Sequence, residues 1–138
     1  MKKKLNCILL VDDDEATNYM HQLIIKKTNC TEKVICKQNG KLALDYLLAV
    51  DNEENVQPDI IFLDINMPGM NGWEFLEHYD KLTKEQQAKI VVVMLSTSID
   101  PVDMSKAEDI EYISRFNPKP LTTTMLNDII KEHFPERV

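Results

Sequence analysis

The sequence lacks any apolar run long enough to cross a membrane. Its longest uninterrupted apolar stretch, IVVVML at 90–95, is far shorter than the roughly 20 residues that a membrane-spanning helix needs. The basic start, MKKKLNCILLVDDD, contains an apolar run that is too short for a signal peptide and that ends in acidic residues. We therefore expect a cytoplasmic protein that has no membrane partner.

Cysteine and histidine are too sparse and too scattered for a disulfide framework or a zinc site. The three cysteines include no CxxC pair, and their expected role is that of small apolar side chains in a reducing cytosol. The three histidines, His21, His78 and His133, form no HExxH or Cys/His pattern. We expect all three at exposed positions on helices.

The chain also lacks the sequence signatures of nucleotide and nucleic-acid binding. Neither GxxxxGK[ST] nor GxGxxG is present, so there is no recognisable cradle for a nucleotide cofactor. The formal net charge of -7 disfavours binding to nucleic acid or to an anionic membrane surface. Such an acidic surface instead favours cations and basic patches on other proteins.

The length of 138 residues suits a single domain that can bury a genuine core. We detect no repeat, no low-complexity segment and no evident linker, and only PERV follows the last predicted helix. The prediction is therefore one domain over 1–138 without an output domain. The acidic segment AVDNEENVQ at 49–57 is interpreted as a solvated connection.

Short β-branched runs alternate with segments of helical apolar spacing along the chain. The strand candidates lie at 5–11, 32–38, 59–64, 89–95 and 111–116. Helices are predicted at about 15–28, 41–50, 72–82, 101–109 and 122–134. In the first helix the stripe with this spacing consists of Met20, Leu23, Ile24 and Lys27. The first, third and fourth strands are almost continuously apolar, which is typical of strands covered on both faces.

Five such β–α units joined by right-handed crossovers predict a doubly wound α/β fold, a five-stranded parallel sheet flanked by five helices. In these sheets the functional crevice lies beyond the carboxyl ends of the strands. The residues that follow those ends are polar: Asp12, Asp13 and Asp14, then Asp64, then Ser96, Thr97 and Ser98, and finally Lys119. We therefore expect several carboxylates, a hydroxyl and an ammonium group in one shallow crevice.

Clustered carboxylates persist where a divalent cation or a lysine neutralises them, or where one of them is protonated. A site of oxygen ligands with little protein cage suits Mg²⁺, which retains water ligands and binds phosphate oxygens. A carboxylate left free can attack phosphorus and form an aspartyl-phosphate. Mg²⁺, Lys119 and the Ser96 hydroxyl would then compensate the oxygens of the phosphoryl group. The set is chemically complete for accepting a phosphoryl group.

Four segments together resemble the two-component response-regulator receiver family, of the CheY-like type. They are LLVDDD, IIFLDINMPGMNG, VVVMLSTS and FNPKP, and they occur in the family's order over nearly the whole chain. The resemblance implies a flavodoxin-like sheet of order 2-1-3-4-5. It also implies a phosphohistidine donor, either a sensor histidine kinase or a histidine phosphotransfer protein, and a downstream protein that the sequence does not identify.

The resemblance further implies roles for individual residues. Asp64 would be the phosphoacceptor. Asp13 would bind Mg²⁺ directly and Asp12 chiefly through water, with Asp64 and the backbone carbonyl of Asn66 completing the metal site. Ser96 would follow the phosphoryl group as a catalytic and switch residue, Lys119 would be the catalytic lysine, and Phe116 would be the aromatic switch. Asp14 has no assigned ligand role and is interpreted as a cap of the following helix or as an acid in its first turn, which the helix dipole favours.

The sequence argues against two other functions and leaves two alternatives. A phosphatase of the haloacid-dehalogenase type would need a second aspartate two positions after Asp64, where Asn66 stands. A calcium loop at DINMPG fails because Pro68 occupies a ligand position and Phe75 stands where the bidentate glutamate belongs. A phosphorylation-independent binding module and a phosphorelay intermediate are the remaining alternatives to a phosphorylated signalling domain. The chain is not expected to be an enzyme beyond catalysing its own phosphotransfer and dephosphorylation.

Overall fold

A computed structural model describes residues 4–52, 56–84, 86–87, 91–97, 100–111 and 113–135. The strands are β1 (Leu5–Val11), β2 (Thr31–Lys37), β3 (Ile60–Asp64), β4 (Val91–Ser96) and β5 (Ile113–Pro118). The helices are α1 (Glu15–Thr28), α2 (Gly40–Leu48), α3 (Gly72–Tyr79), α4 (Pro101–Glu108) and α5 (Thr123–His133). Every predicted element is present, with ends that differ by no more than three residues wherever both ends are described.

Some predictions fall partly outside the described residues. They concern the first two positions of the predicted strand 89–95, position 112, Ser98, and the last three residues of PERV. The acidic segment 49–57 is described except for 53–55, and its beginning differs from the prediction. Ala49–Asn52 form a short 3₁₀ helix rather than an irregular connection. Val50 lies in this helix and packs partly buried against the core.

The five strands form one parallel sheet of order β2-β1-β3-β4-β5, which confirms the predicted fold. Because the chain moves from β1 outward to β2 and then returns across β1 to β3, the topological switch lies between β1 and β3. Ligand crevices of doubly wound sheets lie at this switch, beyond the carboxyl ends of the strands. The central strands β1 and β3 therefore determine where a site can form.

Apolar side chains cover both faces of the sheet, as the continuous apolar runs predicted. One buried cluster joins Leu9, Ile61 and Leu63 to residues of α2 and α3, among them Leu47 and Phe75. The second cluster lies on the opposite face and joins alternate strand residues such as Ile8 and Phe62 to α1 and α5. The two-sided burial of the central strands fixes their register, since a shift by one residue would exchange the two faces.

Each of the five helices begins at a residue whose side chain caps it. The capping residues are Asp14, Asn39, Asn71, Asp100 and Thr122. The Asp14 carboxylate accepts a hydrogen bond from the backbone N–H of Ala16 at 3.1 Å, as the sequence predicted. Such caps satisfy N–H groups that have no partner inside the helix. They also fix the positions of the loops that follow the strand ends.

The inward face of α1 differs from the prediction. Met20 and Leu23 are 51% and 49% exposed, whereas Asn18, His21 and Ile25 are buried. The predicted stripe is therefore wrong for Met20, Leu23 and the exposed Lys27, although Ile24 packs partly against the core. The reason is that the first half of α1 lies against the polar ends of the strands, where apolar side chains have no apolar partner.

The histidines and cysteines differ in how deeply they are buried. His21 is buried and His133 is half-buried, so the prediction of exposed positions is wrong for both, whereas His78 is exposed as predicted. Cys7 is buried, and Cys30 and Cys36 are half-buried; all three are free thiols. Among the described residues, no helix combines the length and apolarity that crossing a membrane requires.

Candidate functional site

Three carboxylates meet where β1 and β3 end. Asp12 and Asp13 directly follow β1, and Asp64 is the last residue of β3. Asp12 and Asp64 are 4% and 5% exposed, whereas Asp13 is exposed. One carboxylate oxygen from each of the three lies within 4.8 Å of the others. The predicted clustering of acidic side chains from two strand ends is therefore present.

Lys119 extends into this cluster from the loop after β5. Its Nζ lies 2.6 Å from Asp12 Oδ2 and 3.0 Å from Asp64 Oδ1. The backbone N–H of Lys119 donates to the carbonyl of Ser96 at 2.8 Å, which joins the loop to the end of β4. The partners of this buried ion pair stay in contact, because each would have to move before water could replace the other.

Burial and charge shift the protonation of the site. Burial raises the pKa of Asp64 to about 6, Lys119 works in the opposite direction, and the neighbouring Asp12 adds to the rise. Burial alone would lower the pKa of Lys119, but the hydrogen bonds to Asp12 and Asp64 outweigh it and raise that pKa. Lys119 is therefore cationic at neutral pH. Asp64 is mostly ionised there, but its pKa lies close enough to neutral pH that mild acid protonates it.

The residues present fit a divalent cation. Three ionised carboxylates facing one ammonium group leave two negative charges to compensate, and the exposed Asp13 keeps the site open to water. An open set of oxygen ligands with room for water suits Mg²⁺ better than a closed cage would. Asn66, predicted to contribute its carbonyl, lies beside the cluster, since its backbone nitrogen donates to Asp64 Oδ1 at 3.4 Å.

The loop from β3 to α3 is packed closely against Asp64. The N–H of Gly72 donates to the carbonyl of Ile65 at 2.8 Å. A Cβ on Gly72 would lie 2.8 Å from the carbonyl oxygen of Asp64 and 2.9 Å from Cα of Ile65. Gly69 in the same loop has a φ of 79°, which glycine adopts without strain. Glycine is therefore required at both positions for the loop to return tightly after Asp64.

Ser96 and Phe116 lie on the strands next to the cluster. Ser96 is buried and ends β4, one residue after Leu95, which pairs with Asp64 across the sheet. Phe116 lies on β5, half-buried against the cluster on the α2 and α3 side of the sheet. Ser96 was expected just after its strand and is instead the last residue of β4, and Phe116 lies within β5 rather than at its end. The roles of both as switch residues remain predictions.

Two buried polar residues of the site were not predicted. Asn18 donates through Nδ2 to the carbonyl of Asp12 at 2.9 Å, and His21 accepts through Nε2 from the N–H of Leu121 at 3.1 Å. Positions 18, 21 and 25 follow the i, i+3, i+7 spacing of one helix face, which is a usable signal. Two of the three are polar, however, so a search for apolar stripes does not find them.

The matches with known proteins agree with this geometry. The family model of the response regulator receiver domain matches residues 8–131. The chain belongs to the response regulator receiver domain family. A two-component response regulator from Cytophaga hutchinsonii has a similar structure, with a TM-score of 0.86 and 34% identity over 94% of this chain and 97% of that one. The predicted family and the CheY-like, flavodoxin-like fold are confirmed.

Relatives of this receiver differ in length and in what accompanies the matched part. The "Probable methanogenesis regulatory protein FilR2" of Methanothrix harundinacea is 28% identical over 91% of this chain and 79% of its own length. A "Protein-glutamate methylesterase/protein-glutamine glutaminase" of Treponema denticola is 38% identical over 65% of this chain. The receiver spans only 22% of that second protein, and 43% of a response regulatory protein of Vibrio cholerae. Receivers are signalling domains that occur in proteins of different output.

Proposed function

We propose that this receiver accepts a phosphoryl group from a phosphohistidine onto Asp64, with Mg²⁺ bound at the acidic cluster. The donor would be a sensor histidine kinase or a histidine phosphotransfer protein. The phosphorylated receiver would then signal by contact with a downstream protein. The absence of a recognisable nucleotide cradle and the net charge of -7 favour a protein donor over a nucleotide, and a protein target over nucleic acid. A cytoplasmic location is part of this proposal.

The single observation that carries the proposal is the joint position of Asp64 and Lys119. Asp64 is a buried carboxylate, and a cation lies 3.0 Å from one of its oxygens. In the transfer step an Asp64 oxygen forms the bond to phosphorus while the P–N bond of the donor breaks. The electron pair of that bond stays on the imidazole nitrogen. Ionised Asp64 is the required nucleophile, and its pKa of about 6 leaves it mostly ionised at neutral pH.

Lys119 supplies fixed positive charge where the transferred group would arrive. Its Nζ bridges Asp12 and Asp64, so it can exchange its contact with Asp64 for a phosphoryl oxygen without moving far. Prepositioned charge of this kind lowers the barrier because no reorganisation is needed during the reaction. Lys119 is therefore assigned the catalytic role that the sequence resemblance implied.

Asp12, Asp13 and Asp64 would hold the Mg²⁺, together with the carbonyl of Asn66. Bound Mg²⁺ supplies Lewis-acid stabilisation of the charge on the phosphoryl oxygens. Asp13 is the exposed member of the cluster, which suits a direct ligand in an open coordination shell. Asp12 Oδ2 contacts Lys119, and Asp12 Oδ1 accepts a hydrogen bond from the backbone N–H of Asp14 at 2.9 Å. The Asp12 carboxylate is therefore oriented before a metal binds.

Ser96 and Phe116 would transmit the phosphorylation of Asp64 to the surface of the domain. A hydroxyl at the end of β4 can donate to a phosphoryl oxygen on the neighbouring Asp64. Phe116 is one strand further along and half-buried, next to a groove of about 220 Å³ between α4 and β5. An inward movement of this ring after Ser96 moves would change the surface of α4 and β5. This is the switch that we propose for the downstream contact.

The test is incubation with acetyl phosphate and Mg²⁺, followed by intact-mass spectrometry. The expected result is one added phosphoryl group on the native chain and none on Asp64→Asn. Asp128→Asn is the matched control, because it makes the same change at an exposed position of α5 and should leave phosphorylation intact. Equal modification of the native chain and Asp64→Asn would refute the proposal. A chain that binds its partner equally with and without acetyl phosphate would favour the phosphorylation-independent module.

A further inference from the structure

We propose that His21 is a positioning residue that holds the segment carrying Lys119 in register with Asp12 and Asp64. The inference rests on the proposed phosphoacceptor function, because it concerns the geometry of the same site. His21 touches none of the reacting groups in the described contacts. It acts instead on the backbone two residues after Lys119.

The contact itself is a hydrogen bond in the interior. His21 is 2% exposed, and its Nε2 lies 3.1 Å from the backbone nitrogen of Leu121. A backbone N–H can only donate, so Nε2 must be the unprotonated acceptor and the ring proton must be on Nδ1. Burial lowers the pKa of His21, which agrees with a neutral ring. The tautomer follows from this one contact.

The segment that His21 holds is fixed on both sides of Lys119. The N–H of Lys119 donates to Ser96 on β4, and the N–H of Leu121 donates to His21 on α1. Between these two bonds the backbone has little freedom to shift. The long lysine side chain therefore starts from a fixed point, and its Nζ reaches the two carboxylates at 2.6 Å and 3.0 Å.

The neighbouring Asn18 holds the other partner of the ion pair. Asn18 is 4% exposed and donates through Nδ2 to the carbonyl of Asp12 at 2.9 Å. Asn18 and His21 are three residues apart, so they project from one face of α1. That face thus contacts the backbone at Asp12 and the backbone just beyond Lys119. This explains why α1 buries polar side chains while Met20 and Leu23 are left exposed.

The functional consequence follows from the sensitivity of group transfer to position. A displacement of about 1 Å in a catalytic group costs up to about a hundredfold in rate. Loss of the acceptor at position 21 frees only one of the two bonds that hold the segment. We therefore expect a fall of roughly tenfold in phosphorylation rate at saturating Mg²⁺.

The experiment compares three substitutions that separate the acceptor from the volume of the side chain. His21→Gln places an amide oxygen near the position of Nε2 and should keep the bond to Leu121. His21→Leu removes the acceptor while filling the space, and His21→Asn keeps a polar group that is too short to reach. The phosphorylation rate with acetyl phosphate should be near the native value for His21→Gln and about tenfold lower for the other two. If His21→Leu does not fold, His21→Asn alone carries the comparison.

A second readout does not depend on phosphorylation. Nuclear magnetic resonance of the Lys119 ammonium reports whether Nζ is held between Asp12 and Asp64, since a paired ammonium exchanges its protons with water slowly. The signal should persist in His21→Gln and be lost or strongly broadened in His21→Leu and His21→Asn. The ring nitrogens of His21 in the native chain should show the neutral form protonated on Nδ1.

The outcomes separate this inference from the proposed function. If the Lys119 signal and the rate are the same in all three variants, His21 does not position Lys119 and the inference is overturned. A rate that falls equally in His21→Gln and His21→Leu also overturns it, because the acceptor would then not be what matters. If the native chain is not phosphorylated but the Lys119 signal follows the expected order, the positioning is supported and the proposed function fails.

Discussion

Replacing Gly72 with alanine should move the loop that follows the phosphoacceptor. The new Cβ would lie 2.8 Å from the carbonyl oxygen of Asp64 and 2.9 Å from Cα of Ile65, against an ordinary contact of 3.4 Å or more. Both colliding atoms belong to the backbone, so relief requires the loop or β3 to shift by about half an ångström. No side chain can turn aside to make room.

The magnitude follows from two opposing effects. Overpacking of this kind costs about 1–3 kcal/mol. Alanine gains about 0.4–1 kcal/mol over glycine, because it restricts the unfolded chain. The two effects leave a net loss of about 0–2.6 kcal/mol, and we expect a value near the middle of that range, about 1–2 kcal/mol in the free energy of unfolding. That corresponds to a fall of roughly 3–7 °C in the melting temperature of a domain of this size. Phosphorylation of Asp64 by acetyl phosphate should slow by roughly tenfold, since the displaced atoms include its own backbone.

The other two glycines provide matched controls. A Cβ on Gly40 would meet Met70, with its sulfur at 2.5 Å and the next carbon at 3.2 Å, and this flexible side chain can move away. Gly40→Ala should therefore cost less than about 1 kcal/mol, because the gain from restricting the unfolded chain, about 0.4–1 kcal/mol, offsets the movement of Met70. Gly69→Ala meets no atom within 4 Å but must adopt a φ of 79°, which costs about 1–2 kcal/mol. Gly69→Ala should therefore be less stable than the native chain, but its phosphorylation should slow less than that of Gly72→Ala.

The assay is thermal unfolding of all three variants beside a phosphorylation time course. Gly72→Ala should combine lower stability with slower phosphorylation, whereas Gly40→Ala should lose less stability and keep the native rate. The reasoning is refuted if Gly72→Ala is as stable as Gly40→Ala and is phosphorylated at the native rate. In that case the close contact between residue 72 and the backbone of Asp64 would not constrain the site.

Three further predictions concern other properties. Burial raises the pKa of Asp64 to about 6, so the Mg²⁺ affinity measured by calorimetry should fall as the pH decreases through that value. Below about pH 6 the affinity should fall roughly tenfold per pH unit. A constant affinity between pH 7 and 5 would contradict this. Phe75 is fully buried and Tyr19 is 63% exposed, so urea unfolding should show a loss of about 3–5 kcal/mol for Phe75→Ala and within about 0.5 kcal/mol for Tyr19→Ala. Trp73 donates through Nε1 to Asp103 at 3.0 Å, so Asp103→Ala should shift the Trp73 emission and speed amide exchange in α4, whereas unchanged emission would show that the bond does not form in solution.

The positions of Asp12, Asp64 and Lys119 were predictable because of a general property of parallel sheets. Each residue lies at or just beyond the carboxyl end of a predicted strand, and those ends share one edge of the sheet. Local patterning therefore predicts convergence without any knowledge of distances. The strands were predicted from short β-branched, mostly apolar runs, and the helices from apolar residues at helical spacing.

The packing of α1 was not predictable in the same way. Its most apolar stripe, with Met20 and Leu23, faces outward, while Asn18 and His21 face inward. Hydrophobic periodicity assumes that a helix packs against an apolar surface. The first half of α1 instead lies beside the polar strand ends of the site, so the helix rotates to satisfy hydrogen bonds there.

Spacing along the chain was enough to predict the succession of strands and helices, the family, and the side chains gathered at one edge of the sheet. The 2.6 Å and 3.0 Å contacts of Lys119, and the burial that raises the pKa of Asp64, became known only from the folded structure. The same holds for the hydrogen bond by which His21 holds the segment after Lys119. These properties depend on the distance and solvent exposure of residues up to 107 positions apart, and no local pattern encodes either quantity.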